Sequence, residues 1–215
     1  LNRKGGFTKE ITASGIFYNS FIMAFGIASL SVFVSMMAAY SLVYFKTRFS
    51  TLFFWLIFIT LLVPLELRIL PSYQIVSDLN LLNSYAGLIL PLSASAIATF
   101  FFRQYYRSIP EELLEAAKLD GANSWKFFID FLVPLSKTMV AAMFIFMFVY
   151  GYNQYLWPLI MTTSEKYWTV VMGLKMIYGG NSVDRYTYVI LSLIPPVIII
   201  VFLQRLFIQG LFQSK

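Results

Sequence analysis

Five stretches of this chain contain no charged residue: 11–45, 49–65, 79–102, 138–164 and 186–204. They run for 35, 17, 24, 27 and 19 residues. An apolar helix needs roughly 17–25 residues to cross the hydrocarbon of a bilayer, so each stretch has room for one crossing. Charged residues make up 12% of the chain, about half the roughly 25% of a soluble domain. The runs are continuous rather than alternating, which favours helices over the strands of a barrel. The fold class that follows is an all-α integral membrane protein with five transmembrane helices, near 16–44, 51–71, 84–104, 137–158 and 187–208. Together they form a single membrane domain over 1–215.

What the chain lacks narrows its chemistry. It has no cysteine and no histidine, so disulfides, thiol nucleophiles, imidazole acid–base catalysis and histidine metal sites are excluded. Paired carboxylates are absent from the five runs, which argues against an intramembrane enzyme. Ion-coupled secondary transporters and channels usually keep ionisable groups inside their spans; the uncharged runs make that class a distant alternative. The net charge is +6, yet the basic residues are scattered over short loops without a stripe or an aromatic patch, so no nucleic-acid partner is expected. The opening "LNRKGGFTKE" is basic, but the apolar run behind it is far longer than the roughly 7–15 residues of a signal-peptide core.

Within the first span, Ser20, Ala24 and Ala28, then Ser31, Ser35 and Ala39, recur at helical spacing. Small residues in such rows let membrane helices approach closely. The span ends at "KTRFS", where Lys46 and Arg48 lack an acidic neighbour and mark a cytoplasmic turn. Alternation then puts 103–137 and the C-terminus in the cytoplasm, and 1–14, 66–84 and 160–186 outside. Arg3, Lys4 and Lys9 oppose that orientation, unless a further span lies upstream of Leu1. Pro64, Pro71, Pro91 and the pair Pro195–Pro196 predict kinks in spans two, three and five.

Between spans three and four lies "SIPEELLEAAKLDGANSWKFFIDFLVPL" (108–135), rich in charge in an otherwise greasy chain. Ser108 with Glu111 suggests a capping box, and Pro110, Glu111 and Glu112 suit a helix start. Asp120–Gly121 suits a stop. Asn123 or Ser124 can cap a second short helix ahead of Pro134. Small residues (Ala116, Ala117, Gly121, Ala122) and an apolar rim of Leu113, Leu114, Trp125 and Phe128 would make a compact knob. From the residues alone, a docking element and an amphipathic loop on the lipid surface stand equal.

The segment "EAAKLDGANSWKFFIDFLVP" resembles the cytoplasmic EAA loop of ATP-binding-cassette (ABC) importer permeases: E-A-A, three residues, G, nine residues, then I-x-L-P. Glu115, Ala116, Ala117, Gly121 and Pro134 fall in register, with Phe131 and Val133 replacing the isoleucine and leucine. The resemblance spans nearly the whole chain and is nearest to permeases of the carbohydrate-uptake type. Within them, "LFFWLIFITLLVPLELRILPSY", "NSYAGLILPLSASAIATFFFRQYY" and "YGYNQYLWPL" are similar to permeases that import sn-glycerol 3-phosphate. The resemblance implies that 108–135 is a coupling hairpin meeting the ATPase through Glu115, Ala116, Ala117, Asp120, Gly121 and Pro134. It implies partners as well: a second permease subunit, two copies of an ABC ATPase holding ATP and magnesium, and an extracytoplasmic substrate-binding protein. It implies no cofactor in this chain, no catalysis by it, and a place in the bacterial inner membrane. The implied substrate is sn-glycerol 3-phosphate or a related glycerophosphodiester, with a neutral sugar or oligosaccharide as the alternative. Family members have six spans, so the first would lie upstream. The chain has no G-x-x-x-x-G-K-[ST] loop of its own.

Polar groups deep in a membrane mark a pathway or a helix contact. Tyr152, Asn153, Gln154 and Trp157 are the candidates for pathway lining, although an interfacial aromatic belt would look the same. Asn153 lies ~24 Å along the helix from Lys137, in the outer half of the bilayer. Glu66 and Arg68 are the other candidates. Two positions apart on a helix they point about 200° from each other, so both face one pore only if the helix breaks. Arg68 is expected either to attract an anionic phosphate or to reach the outer headgroups.

Overall fold

The computed structural model describes residues 13–45, 48–176 and 182–212. Arg3, Lys4, Lys9 and Lys46, used above to argue orientation, lie outside the described residues. Everything regular among the described residues is helical.

Helix α1 (Ala13–Tyr44) is the axis of the bundle. Its 32 residues would reach ~48 Å at 1.5 Å per residue, longer than the bilayer core. The small-residue rows do what their spacing predicts: Ser20, Ala24, Ala28, Ser31, Ser35 and Ala39 are all buried. A close backbone approach is made by α8 (Lys137–Tyr152). A Cβ placed on Gly151 would lie 3.2 Å from the Ala24 Cα, so glycine sets that crossing distance. Helices α4 (Tyr85–Ser93) and α5 (Ala96–Ser108) pack on the other sides of α1. After the short α10 (Val170–Met176), the last helix, α11 (Ser182–Phe212), lies on α8 and runs unbroken through Pro195 and Pro196.

Helix α1 and α11 are each long and apolar enough to cross a membrane. Three further pairs pass the same test only when taken together, and each is bent. The first is α2 (Ser50–Ile59, continued by a 3-10 turn to Leu62) with α3 (Leu65–Asp78), bent by 105°. Proline restricts the residue before it to extended backbone; Val63 is extended there, and Pro64 starts a new helix. Pro71, by contrast, sits inside α3 without ending it. The kink expected in the crossing over 51–71 is therefore a full break at Pro64, leaving two helices nearly at right angles, and Pro71 adds none.

The second pair, α4 and α5, is bent by 44°. The expected kink at Pro91 falls instead at Ala94–Ser95, where two extended residues intervene and the Ser95 Oγ accepts the Ala98 N–H at 3.2 Å to start α5. The third pair is the far limb of the 108–135 hairpin followed by α8, bent by 75°. Span four also stops early: α8 ends at Tyr152, and a separate short helix, α9 (Leu156–Met161), packs on α3 and α4.

Two apolar storeys result. One joins Met23, Ile27, Leu88, Phe148, Tyr152 and Trp157. The other joins Tyr40, Phe102, Tyr106, Phe127, Phe128 and Leu132, next to the hairpin. Asn19 pins the end of the first storey: its Nδ2 donates to the carbonyls of Lys166 (2.8 Å) and Trp168 (2.9 Å), and its Oδ1 accepts the Tyr85 hydroxyl at 2.6 Å.

Candidate functional site: a hairpin and a cavity joined by one helix

The hairpin consists of α6 (Glu111–Leu119) and α7 (Ser124–Leu135), the latter widened into a π turn over Phe127–Leu132. Pro134 lacks the N–H that would close an α turn on Asp130, and a π turn is one way a helix absorbs that loss. The expected capping box at Ser108 is not formed. Ser108 ends α5 and its hydroxyl donates to the Tyr105 carbonyl at 2.7 Å, while Pro110 takes the cap position of α6. Proline fixes the backbone there, and no side-chain cap is used.

The stop is as the residues predict. Gly121 has φ +74°, its N–H donates to the Lys118 carbonyl (3.0 Å), and the Ala122 N–H donates to that of Ala117 (2.9 Å). These two bonds make a Schellman close, with glycine at the left-handed position. Asn123, rather than Ser124, caps α7 by accepting the Lys126 N–H at 2.8 Å.

Ala117 is buried, whereas Glu115, Ala116, Asp120, Gly121 and Pro134 all face outward. Ala117 and the half-buried Leu114 pack against an aromatic box of Tyr40, Tyr44, Phe127 and Phe128. Two hydroxyls tie the hairpin to the bundle: Tyr40 donates to the Ser124 carbonyl (2.9 Å), and Tyr105 to that of Leu135 (2.6 Å). Of the expected apolar rim, Leu114 and Phe128 pack inward, and Leu113 and Trp125 stay exposed. Leu119, which no motif marks in the sequence, is at 89% exposure the most exposed large apolar side chain described. The aromatic box has one trace in the sequence, Tyr40 and Tyr44 standing one helical turn apart.

The second feature is a cavity of about 230 Å³ at the elbows of the two broken helix pairs. Arg68 and Ser72 of α3, Thr60, Ser95, Tyr150 and Trp157 line it. Of the pathway candidates it brings together Arg68 and Trp157 only. Trp157 is buried and its indole N–H donates to the Leu88 carbonyl at 3.1 Å, so it forms a fixed wall. Tyr152 is in the packed core, its ring stacked on Phe148 with centroids 5.9 Å apart, and does not reach the cavity. Asn153 is exposed and borders a separate shallow hollow. Gln154 half-buries itself by donating to the Tyr150 carbonyl at 3.3 Å. Glu66 and Arg68 share the intact helix α3, so the expected divergence holds and Glu66 is not in the lining. Tyr150, Ser95 and Ser72 carried no signal, because the break that faces them into the cavity depends on tertiary packing.

One helix connects the two features. Helix α5 begins at the cavity, where Ser95 and Ala96 form part of the wall, and ends at the hairpin. Its 13 residues make a rod of ~20 Å. Its cavity end is also tied to α1, since the Ser35 Oγ donates to the Ser95 carbonyl at 3.2 Å. Among the described residues, no group of three His, Cys, Asp or Glu side chains stands where a metal could sit.

Similarity to known proteins extends over most of the chain. Residues 31–213 match the family model "Binding-protein-dependent transport system inner membrane component". The chain is 49% identical over 203 residues to the sn-glycerol-3-phosphate transport system permease protein UgpE of Yersinia enterocolitica, covering 92% of this chain and 72% of the relative. It is 50% identical over 202 residues to the protein of that name from Salmonella typhi, with the same coverage. Among solved structures, a bacterial ABC transporter involved in the import of the acidic polysaccharide alginate superimposes with a TM-score of 0.73. That likeness covers 88% of this chain and 75% of the other at 21% identity, and bears on the fold.

Proposed function

The chain belongs to the binding-protein-dependent transport system inner membrane components, and from that premise we propose that it forms half of the translocation pathway for sn-glycerol 3-phosphate or a related glycerophosphodiester. It is the permease subunit of an ABC importer in the bacterial inner membrane, with ATP hydrolysed on a separate subunit. In this reading the three bent pairs each complete one crossing, giving five spans, and the 108–135 hairpin lies in the cytoplasm. A second permease subunit supplies the other half of the pathway. Of two ATPase copies, holding ATP and magnesium, one takes the exposed Glu115, Ala116, Asp120, Gly121 and Pro134 into its cleft, while the buried Ala117 of the same motif seats the hairpin on the bundle. An extracytoplasmic binding protein delivers substrate from the other side.

The observation that carries the substrate assignment is Arg68 in the wall of the elbow cavity. A guanidinium matches the paired oxygens of a phosphate, and the start of α5, in the same wall, adds the partial positive charge of a helix N-terminus. At about 230 Å³ the cavity is below the roughly 300–1,000 Å³ of a complete ligand pocket, as expected of a half-site closed by a partner subunit. The relatives named for sn-glycerol-3-phosphate transport support the same choice. Coupling follows from the connectivity. When the ATPases close, the hairpin moves; Tyr105 and Tyr40 pass that motion to α5 and α1. The cavity end of α5 shifts with them, which opens or closes the elbow.

The test is Arg68→Gln in the assembled transporter. Loss of a hydrogen bond to a charged group is worth ~1.5–3 kcal/mol. For this exposed arginine we expect the low end, an increase of about tenfold in the glycerol 3-phosphate concentration for half-maximal uptake. Unchanged uptake kinetics would remove Arg68 from the pathway and favour a neutral sugar gripped by Tyr150 and Trp157.

A further inference from the structure

A second cationic cavity lies at the other end of α5 and takes no part in the pathway above. Its volume is about 310 Å³, and Leu42, Tyr44, Arg103, Arg107, Glu111 and Leu114 line it. We propose that this cavity binds a phosphate-bearing anion at the cytoplasmic face, and that the bound anion fastens the coupling helix to the bundle. The inference rests on the cytoplasmic placement of the hairpin and not on the identity of the transported substrate.

Three observations lead there. Arg103 and Arg107 are four residues apart on α5 and so share a face, where like charges repel. One carboxylate, Glu111, stands among the lining residues with the two guanidiniums, so the cavity lining is net positive. Second, Arg103 is held in place. Its Cζ sits 3.9 Å from the centroid of the buried Phe54 ring on α2. Stacking uses the face of a guanidinium and leaves its in-plane N–H groups for an anion, which is the fork geometry that phosphate oxygens accept in pairs. Third, the walls belong to different elements: the end of α1, the end of α5 and the first turns of α6. An anion there bridges the rod and the hairpin that drives it.

The ligand chemistry is a phosphate mono- or diester beside an apolar wall, and it has two sources. One is an anionic lipid headgroup of the inner leaflet, which basic residues near the surface attract. The other is free phosphate from the cytoplasm.

The experiment uses the complete transporter with its partner subunits in nanodiscs of phosphatidylcholine, with or without phosphatidylglycerol. Native mass spectrometry counts retained phosphatidylglycerol per complex. Each arginine near the surface contributes about a fivefold factor in attraction. Arg107→Gln should therefore lower retention about fivefold, and Arg103→Lys, which keeps charge but loses the stacked fork, should fall between. If millimolar inorganic phosphate raises the thermal midpoint of the wild-type complex in phosphatidylcholine but not that of Arg107→Gln, the source is free phosphate. Equal retention by all three proteins, together with no phosphate effect, overturns the proposal. So does loss of ATPase subunits from Arg107→Gln at unchanged lipid retention, since the arginines would then belong to the docking surface. A transporter that carries a neutral sugar instead of glycerol 3-phosphate would leave the result unaffected.

Discussion

Replacing Gly121 by alanine isolates the left-handed turn at the tip of the hairpin. A Cβ built there meets nothing within 4 Å, so no side chain in this protein has to move. The cost is backbone only. An L-residue held at φ +74° pays ~1–2 kcal/mol, which shifts the balance between the closed hairpin and a frayed one by a factor of about 5–30. Asparagine adds at least as much bulk but tolerates the left-handed region. The assay is substrate taken up per ATP hydrolysed, in vesicles holding the full transporter. Gly121→Ala should lose most of this ratio while basal ATP hydrolysis continues, and Gly121→Asn should recover much of it. Gly121→Asp adds a charge on the exposed tip and should be poorer than Asn. If Ala matches glycine, the Schellman close is not what the coupling uses. If Asn is as poor as Ala, obstruction of the partner's cleft matters rather than backbone strain, and the reasoning here is wrong.

Three further outcomes follow from the same contacts. Asn19→Leu removes three hydrogen bonds at about 1 kcal/mol each and should lower the thermal midpoint of the purified complex by the equivalent of ~3 kcal/mol. A variant as stable as wild type would show that the 166–168 loop does not depend on this anchor. Trp157→Phe leaves the Leu88 carbonyl without its donor and a void in a packed wall, worth ~2–3 kcal/mol; an unshifted melting curve would contradict that. Leu119→Asp changes an exposed side chain that packs on nothing in this subunit. It should therefore insert and melt normally but co-purify with less ATPase. Full ATPase recovery would take Leu119 out of the docking face.

Features set by local chemistry were legible in the sequence. The small-residue rows of α1 needed only the helical period, and all six residues proved buried. The Asp120–Gly121 stop and the Asn123 cap needed only backbone sterics and one side-chain oxygen. Ser108 misled because Pro110 already supplies a helix start, and a helix needs one cap. Pro64 and Pro71 look alike in a sequence. The first follows a 3-10 turn and an extended valine, while the second sits nearly two turns into a helix that tolerates its missing donor. The cavity was the least legible feature. Tyr152 and Trp157 are close in sequence, yet the end of α8 turns Tyr152 into the core and points Tyr150 at Arg68's cavity. That selection depends on how two broken pairs meet, and no single window of sequence contains it.

The measurement that bears most directly on the central claim is uptake of labelled glycerol 3-phosphate into vesicles containing the full transporter, driven by ATP and supplied through the binding protein. The account predicts ATP-dependent accumulation that excess maltose does not suppress and excess unlabelled glycerol 3-phosphate does. Accumulation of a neutral sugar, with none of glycerol 3-phosphate, would contradict the substrate assignment while leaving the permease fold and its hairpin as described.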